Sequence, residues 1–135
     1  MLVSTRGRYA LRVMIDLAEN SDGAYVAMKE VAGRQQISLK YLERILPTLV
    51  EARLVEGVRG KGGGYRLTRE PDEYTLEEIL RVAEGDLAPI SCLEKGAARC
   101  ERARDCRTLP MWKELNELIT GYLSSKTLAD LVKES

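Results

Sequence analysis

The chain has 135 residues, of which 44% are hydrophobic and 31% are charged, the balance of an ordinary globular domain. No apolar run approaches the roughly 18 residues that a membrane span needs, and the N-terminus lacks the features of a secretory signal, so we expect a cytoplasmic protein that does not bind membranes. The net charge is zero, but residues 1–69 carry 12 Lys and Arg against 7 Asp and Glu, and residues 70–135 carry 9 against 14; the first half is therefore the one suited to a polyanion.

The first third of the chain predicts three helices. Apolar residues recur at three- and four-residue steps from residue 5 to about 20, and a shorter pattern ends near residues 35–36. Ser38 stands at an N-cap position ahead of leucines at helical spacing, which predicts the start of a third helix. Two short helices joined by a tight polar turn are typical of a helix-turn-helix, here over about residues 27–53. Pro47 lies inside the third helix and is expected to kink it or to cost about 3 kcal/mol.

A hairpin, a fourth helix and a fifth helix follow. Residues 54–59 and 65–68 predict strands on either side of a GKGGG loop, so residues 54–69 form a β-hairpin wing. This loop does not continue into a helix as a nucleotide-binding loop would. A helix capped by Thr75 and stopped at Gly85 completes a DNA-binding domain over residues 1–85. The fold class is mainly α with a small hairpin, a winged helix-turn-helix; residues 86–109 form a cysteine-containing loop and residues 110–135 a dimerisation helix and tail.

Candidate DNA-binding groups cluster on the third helix and on the wing. Away from the leucine stripe, the third helix carries donors, an acceptor and a guanidinium that suit base edges and phosphates: Ser38, Lys40, Tyr41, Glu43 and Arg44. At the wing, glycines remove side-chain bulk around a basic tip that suits a groove or a phosphate: Arg59, Gly60 and Lys61. Arg66 and Arg69 are expected to add positive charge nearby.

Three cysteines, Cys92, Cys100 and Cys106, are spaced C-x7-C-x5-C in a segment without apolar periodicity. Thiolates are ligands for soft metals and iron-sulfur clusters. A zinc site is disfavoured because the chain has neither a CxxC pair nor a histidine. The absence of histidine also removes the usual general base, and no nucleophile elbow is present, so an enzyme is not expected.

Together these residues resemble the winged-helix iron-sulfur regulators, the family that includes IscR, NsrR, RirA and CymR. The resemblance spans essentially the whole chain and is strongest to the IscR branch. It is carried by the cysteine loop and by four matching segments: STRGRYALRVMIDLA, RQQISLKYLERIL, VRGKGGGYRL and WKELNELITGYLSSKTLADLV.

The resemblance implies a homodimer with crossing C-terminal helices, whose recognition helices and wings meet a palindromic operator in double-stranded DNA. It implies that the three cysteines bind a cluster, [2Fe-2S] or alternatively [4Fe-4S]. The IscR branch supplies a histidine three positions after its last cysteine, where this chain has Leu109. NsrR relatives can use a carboxylate of the partner's first helix, where this chain has Arg8. The fourth ligand is then a residue of the partner subunit, an exogenous molecule or one of three acids: Glu94, Glu101 or Asp105.

The leading hypothesis is a repressor of iron-sulfur cluster assembly genes whose DNA affinity depends on its cluster. One alternative within the same architecture is a sensor of nitric oxide or of iron availability. An alternative from a different class is a zinc-binding or interaction protein that uses the winged helix as a docking surface.

Overall fold

The computed structural model describes residues 3–98 and 104–132. In this part of the chain, the helices and the hairpin follow each other in the order α1 Thr5–Asn20, α2 Met28–Gln35, α3 Leu39–Glu51, β1 Val55–Val58, β2 Gly64–Leu67, α4 Leu76–Glu84 and α5 Leu109–Ser125. Short 3-10 turns at Pro71–Glu73, Ser91–Leu93 and Leu128–Leu131 complete the path. The predicted fold class is confirmed, and the predicted helix limits agree to within a residue or two. Within the described residues, no helix has the length and apolar character needed to cross a bilayer.

The core lies between α1, α3 and α4. Each helix buries one apolar stripe, whose members recur at the three- and four-residue steps seen in the sequence. The buried residues of these helices include Ala10, Val13, Met14, Leu17, Leu42, Ile45, Leu46, Leu49, Ile79 and Leu80. Burial of one such large side chain stabilises the fold by about 1.5–3 kcal/mol. Because α3 is held by its leucine stripe, its opposite face is turned to solvent.

Pro47 does not interrupt α3. The helix runs from Leu39 to Glu51 with Pro47 inside it, on the exposed side. Proline cannot donate the hydrogen bond that the carbonyl of Glu43 would otherwise accept. Since this side of the helix faces water, solvent can bond that carbonyl instead.

The base of the wing is fastened by Tyr74, whose side chain is fully buried. Its hydroxyl donates to the Leu54 carbonyl at 2.7 Å and accepts from the backbone N–H groups of Thr68 and Arg69, each at 3.0 Å. One phenol therefore joins the residue before β1 to the two residues after β2.

The hairpin is also joined to the segment before α2. Val26 and Tyr65 exchange two backbone hydrogen bonds of 2.8 and 2.9 Å. Gly64 has a φ of 150°, and a Cβ there would lie 2.2 Å from the Val26 carbonyl oxygen. Glycine at this position therefore permits the backbone of the wing to approach the helix-turn-helix closely.

Glu84, the last residue of α4, holds the N-terminus of α1. One of its carboxylate oxygens accepts from the backbone N–H of Ser4 at 2.9 Å, from the Ser4 hydroxyl at 2.6 Å and from the Gly7 N–H at 2.8 Å. Burial acts to raise the pKa of Glu84, but these hydrogen bonds outweigh it and the pKa is lowered. The carboxylate thus stabilises the positive end of the helix dipole.

α5 contrasts with the other helices because none of its residues is fully buried. Leu118 and Tyr122 are 64% and 61% exposed, and Met111 and Leu115 are also exposed. These four residues recur at steps of four, three and four, which aligns them as one apolar seam along the helix.

We expect Tyr74→Phe to lower the free energy of unfolding by about 1–3 kcal/mol, because it leaves the Leu54 carbonyl and two backbone N–H groups without their partner. Urea unfolding measures the change. The matched control is Tyr25→Phe, which keeps the ring that lies 4.3 Å below the Arg66 guanidinium and should stay within about 0.5 kcal/mol of the unaltered protein. Equal stability of both variants would contradict the role given to the Tyr74 hydroxyl.

Candidate nucleic-acid interface and metal site

The turn between α2 and α3 has the form of a helix-turn-helix turn. Gln36 ends α2 in the left-handed conformation, with φ 54° and ψ 46°. Ile37 is buried and anchors the turn to the core. Ser38 then caps α3, its hydroxyl accepting from the Tyr41 N–H at 3.1 Å. The N-cap predicted for Ser38 is confirmed, and the start of α3 is defined to the residue.

A buried carboxylate on α1 holds this turn in place. Asp16 is only 1% exposed. It accepts from Arg34 Nη2 at 2.8 Å, from Arg34 Nε at 3.1 Å and from Gln35 Nε2 at 2.9 Å. One turn earlier on α1, Arg12 donates to the Gln35 carbonyl and to the Gln35 side-chain oxygen. The end of α2 is therefore tied to α1 by charged hydrogen bonds as well as by apolar packing.

The exposed face of α3 carries most of the groups predicted to contact DNA. Ser38, Lys40, Glu43 and Arg44 are exposed. Tyr41 is half-buried, and its ring meets the Tyr9 ring edge-on with centroids 5.1 Å apart. Tyr41 therefore has a packing role on α1 besides the contact with DNA that its position suggests.

The backbone conformation of the wing tip depends on its glycines. Gly60 and Gly62 have φ values of 96° and 79°, which favour glycine. The Gly63 N–H donates to the Gly60 carbonyl at 3.0 Å, which closes the turn. Arg59 and Lys61 are exposed on either side of Gly60, and neither forms an ion pair with any described residue.

Arg66 and Arg69, which were expected to add positive charge near the wing, are each paired with an acid. Arg66 pairs with Glu56 at 2.6 Å, donates to the Gly23 carbonyl at 2.9 Å and covers the Tyr25 ring. Arg69 binds both carboxylate oxygens of Glu78, at 2.6 and 3.0 Å. Both guanidinium groups fasten the wing to its surroundings, and their charges are matched by acids.

The cysteine loop is described in part. Cys92 lies in the 3-10 turn Ser91–Leu93, where it is a half-buried free thiol. Cys106 is half-buried with its sulfur 3.5 Å from the Thr108 hydroxyl. Glu94 and Asp105 are exposed. Cys100 and Glu101 lie outside the described residues.

The donor chemistry of this loop suits an iron-sulfur cluster in one respect: Cys92 and Cys106 are half-buried, and cysteine thiolates are the usual ligands of such clusters. Among residues 3–98 and 104–132, no three His, Cys, Asp or Glu side chains are grouped closely enough to hold a metal ion. The set of ligands therefore stays a prediction.

The sequence profile of the Rrf2 family, described as iron-dependent transcriptional regulators, matches residues 3–134. This chain belongs to the Rrf2 family. It is 36% identical over 132 residues to the transcriptional regulator IscR of Klebsiella pneumoniae, which covers 98% of this chain and 80% of the relative.

Solved structures of Rrf2 proteins share this fold. CymR, described as the global cysteine regulator of B. subtilis, superposes with a TM-score of 0.78 at 34% identity, covering 97% of this chain and 95% of CymR. IscR of T. potens superposes with a TM-score of 0.75 at 35% identity, covering 97% of this chain and 85% of that protein. This Rrf2 chain is thus a winged-helix transcriptional regulator and not an enzyme.

The sequence does carry a signal for the residues that position the Rrf2 helix-turn-helix. Asp16 stands between Val13 and Leu17, inside the apolar stripe of α1. An acid at a core position requires a hydrogen-bonding or charged partner, and the basic residue at the end of α2, Arg34, supplies it.

Asp16→Ala should lower the free energy of unfolding by about 2 kcal/mol or more, because Arg34 and Gln35 lose a buried charged acceptor. Asp72→Ala removes the same charge from an exposed position and should change stability by less than about 0.5 kcal/mol. Both are measured by urea unfolding. A variant at Asp16 that is as stable as the control would show that the ion pair does not hold the turn.

Proposed function

We propose that this chain is a cytoplasmic, homodimeric repressor that binds a palindromic operator and whose DNA affinity is set by an iron-sulfur cluster on Cys92, Cys100 and Cys106. Its targets would be genes for cluster assembly. The observation that best supports operator binding is that α3 and the wing present exposed cations without acidic partners among the described residues, whereas nearby arginines are paired.

On α3, base reading is assigned to the exposed side chains of the first two turns. Arg44 can donate two hydrogen bonds to guanine, and Glu43 can accept from the amino group of cytosine. Ser38 and Lys40 are exposed at the start of the helix, where phosphate contacts fix the register of a protein on DNA. Tyr41, packed against Tyr9, would reach DNA only through its hydroxyl.

On the wing, groove contact is assigned to Arg59 and Lys61. The backbone of Gly60 between them has no side chain to keep the tip from a groove or a phosphate. The wing is fastened at its base by Tyr74 and at its side by the paired Arg66. A rigid base lets the tip meet DNA without a large cost in conformational entropy.

The apolar seam of α5, formed by Met111, Leu115, Leu118 and Tyr122, supports a homodimer. An apolar surface of this regularity is typical of a helix that packs against another helix. A second copy of α5 carries the same seam, so two copies related by a twofold axis cover each other. A twofold dimer in turn matches a palindromic operator.

The cluster assignment rests on the three cysteines and on the family. When bound, an iron-sulfur cluster supplies a group that responds to iron supply and to oxidants. Its form would be [2Fe-2S] or alternatively [4Fe-4S]. A fourth ligand from this chain would be Glu94, Asp105 or Glu101, of which the first two are exposed and therefore accessible to a metal.

Arg59→Ala should weaken operator binding by about 1–3 kcal/mol and make the negative slope of log K against log salt less steep by about one. The measurement is fluorescence anisotropy with a labelled operator at several salt concentrations. Lys113→Ala, which removes one exposed positive charge from α5, is the control and should bind as the unaltered protein does. Unchanged affinity of the Arg59 variant would contradict the role of the wing.

Protein purified without oxygen should contain iron and acid-labile sulfide in equal amounts, together with a visible absorption band, and Cys92→Ala should lose all three. Two irons per chain indicate [2Fe-2S] and four indicate [4Fe-4S]. Colourless, zinc-loaded or metal-free protein would contradict the cluster and leave a winged-helix regulator with a different signal. Operator release by nitric oxide but not by an iron chelator would favour a nitric-oxide sensor.

A further inference from the structure

The first part of the cysteine loop is closed by one carboxylate. Asp86 stands two residues after the end of α4. One of its oxygens accepts from the Ala88 N–H at 2.8 Å, and the other accepts from the Lys95 N–H at 3.0 Å. Asp86 therefore joins the two ends of residues 86–95, the segment that contains Cys92.

Within this closed segment, the backbone around Cys92 has a defined shape. The Leu93 N–H donates to the Ile90 carbonyl and the Glu94 N–H to the Ser91 carbonyl, both at 3.1 Å. Leu87, directly after Asp86, is fully buried. One end of the segment is thus held by apolar burial, whereas the other end, at Lys95, is held by the hydrogen bond from Asp86.

The Lys95 end of the segment is not held by packing against α5, so the hydrogen bond to Asp86 has no substitute there. A cavity of about 460 Å³ lies among α4, the cysteine turn and α5, lined by Glu77, Arg81, Asp86, Leu93, Lys95 and Asn116. Lys95 and its neighbours Glu94 and Gly96 are exposed. The far end of the turn therefore depends on a polar contact rather than on close contact with the neighbouring helix.

The Asp86 carboxylate is suited to accept hydrogen bonds from the backbone and not to bind a metal ion. The hydrogen bonds from Lys95 and Ala88 lower its pKa, against the opposing effect of burial, so the carboxylate stays ionised. Each of its two oxygens already accepts a backbone N–H. This distinguishes it from Glu94 and Asp105, whose carboxylates are exposed.

We propose that Asp86 is a positioning residue for the metal site, which holds the turn carrying Cys92 in the conformation that binds iron. The inference rests on the proposed cluster function. Without Asp86, the turn must be ordered when the metal binds, and the conformational entropy lost at that step opposes binding. Outer-shell partners of metal ligands typically change metal affinity by about 10-fold to 100-fold.

The test compares Asp86→Ala and Asp86→Asn with the unaltered protein, after reconstitution with iron and sulfide. The first readout is the rate at which the visible absorption is lost to an iron chelator. We expect Asp86→Ala to lose iron about tenfold faster. Asp86→Asn should be intermediate, because its amide keeps one acceptor oxygen and so one of the two hydrogen bonds.

The second readout is amide hydrogen exchange of the metal-free protein. The Lys95 and Ala88 amides should exchange faster in Asp86→Ala, while amides of α3 should be unchanged. Asp72→Asn removes an exposed negative charge outside this loop and should leave both readouts unaltered. Hydrogen exchange separates the effect on the turn from any general loss of stability.

The outcomes are distinct. If the unaltered protein takes up no iron, the proposed cluster function fails and the inference fails with it. If the unaltered protein holds a cluster and Asp86→Ala releases iron at the same rate, only the role of Asp86 is overturned. If both variants release iron more slowly, Asp86 acts through its negative charge on an anionic cluster, and the positioning role is also overturned.

Discussion

The orientation of α3 depends on a carboxylate buried in the core. Asp16 lies within the apolar stripe of α1, where an unpaired charge would be strongly unfavourable. Its partners, Arg34 and Gln35, are the last two residues of α2. Only a short turn separates Gln35 from the cap at Ser38. An ion pair that holds the end of α2 against α1 therefore also fixes the position of the first turn of α3 relative to α1. The buried leucine stripe of α3 then determines which side of the helix faces solvent.

The arginines of residues 1–69 include two groups with different roles. The net charge of this half of the chain does not distinguish them. Arg34, Arg66 and Arg69 are each paired with an acid and hold one element against another. Arg44 and Arg59 have no acidic partner within the described residues and are exposed. A phosphate can therefore interact with the second group without first breaking an ion pair, which is why the proposed interface is built on those residues.

The end of α4 is where the winged-helix part of the chain meets the segment that carries Cys92. Glu84 accepts three hydrogen bonds from the start of α1, and Asp86, two residues later, closes the turn that carries Cys92. Gly85 between them has a φ of 92°, which lets the chain leave the helix abruptly. The cysteine turn is thus connected to the start of α1 through Asp86, Gly85 and Glu84 and the hydrogen bonds that the two carboxylates accept.

Periodicity in the sequence alone determined the helices, the hairpin and the cap at Ser38, because these depend on local spacing and on the preferences of single residues. It also predicted a dimerisation helix over residues 110–135, whereas the structure decided which apolar side chains of α5 stay exposed within one chain. Tertiary structure alone decided which groups the acids bind: Asp16 meets Arg34 across 18 positions, and Glu84 meets Ser4 across 80. Asp16 stands out in the sequence as an acid inside an apolar stripe, but no local pattern identifies the partner of either acid, because only folding brings such distant residues together.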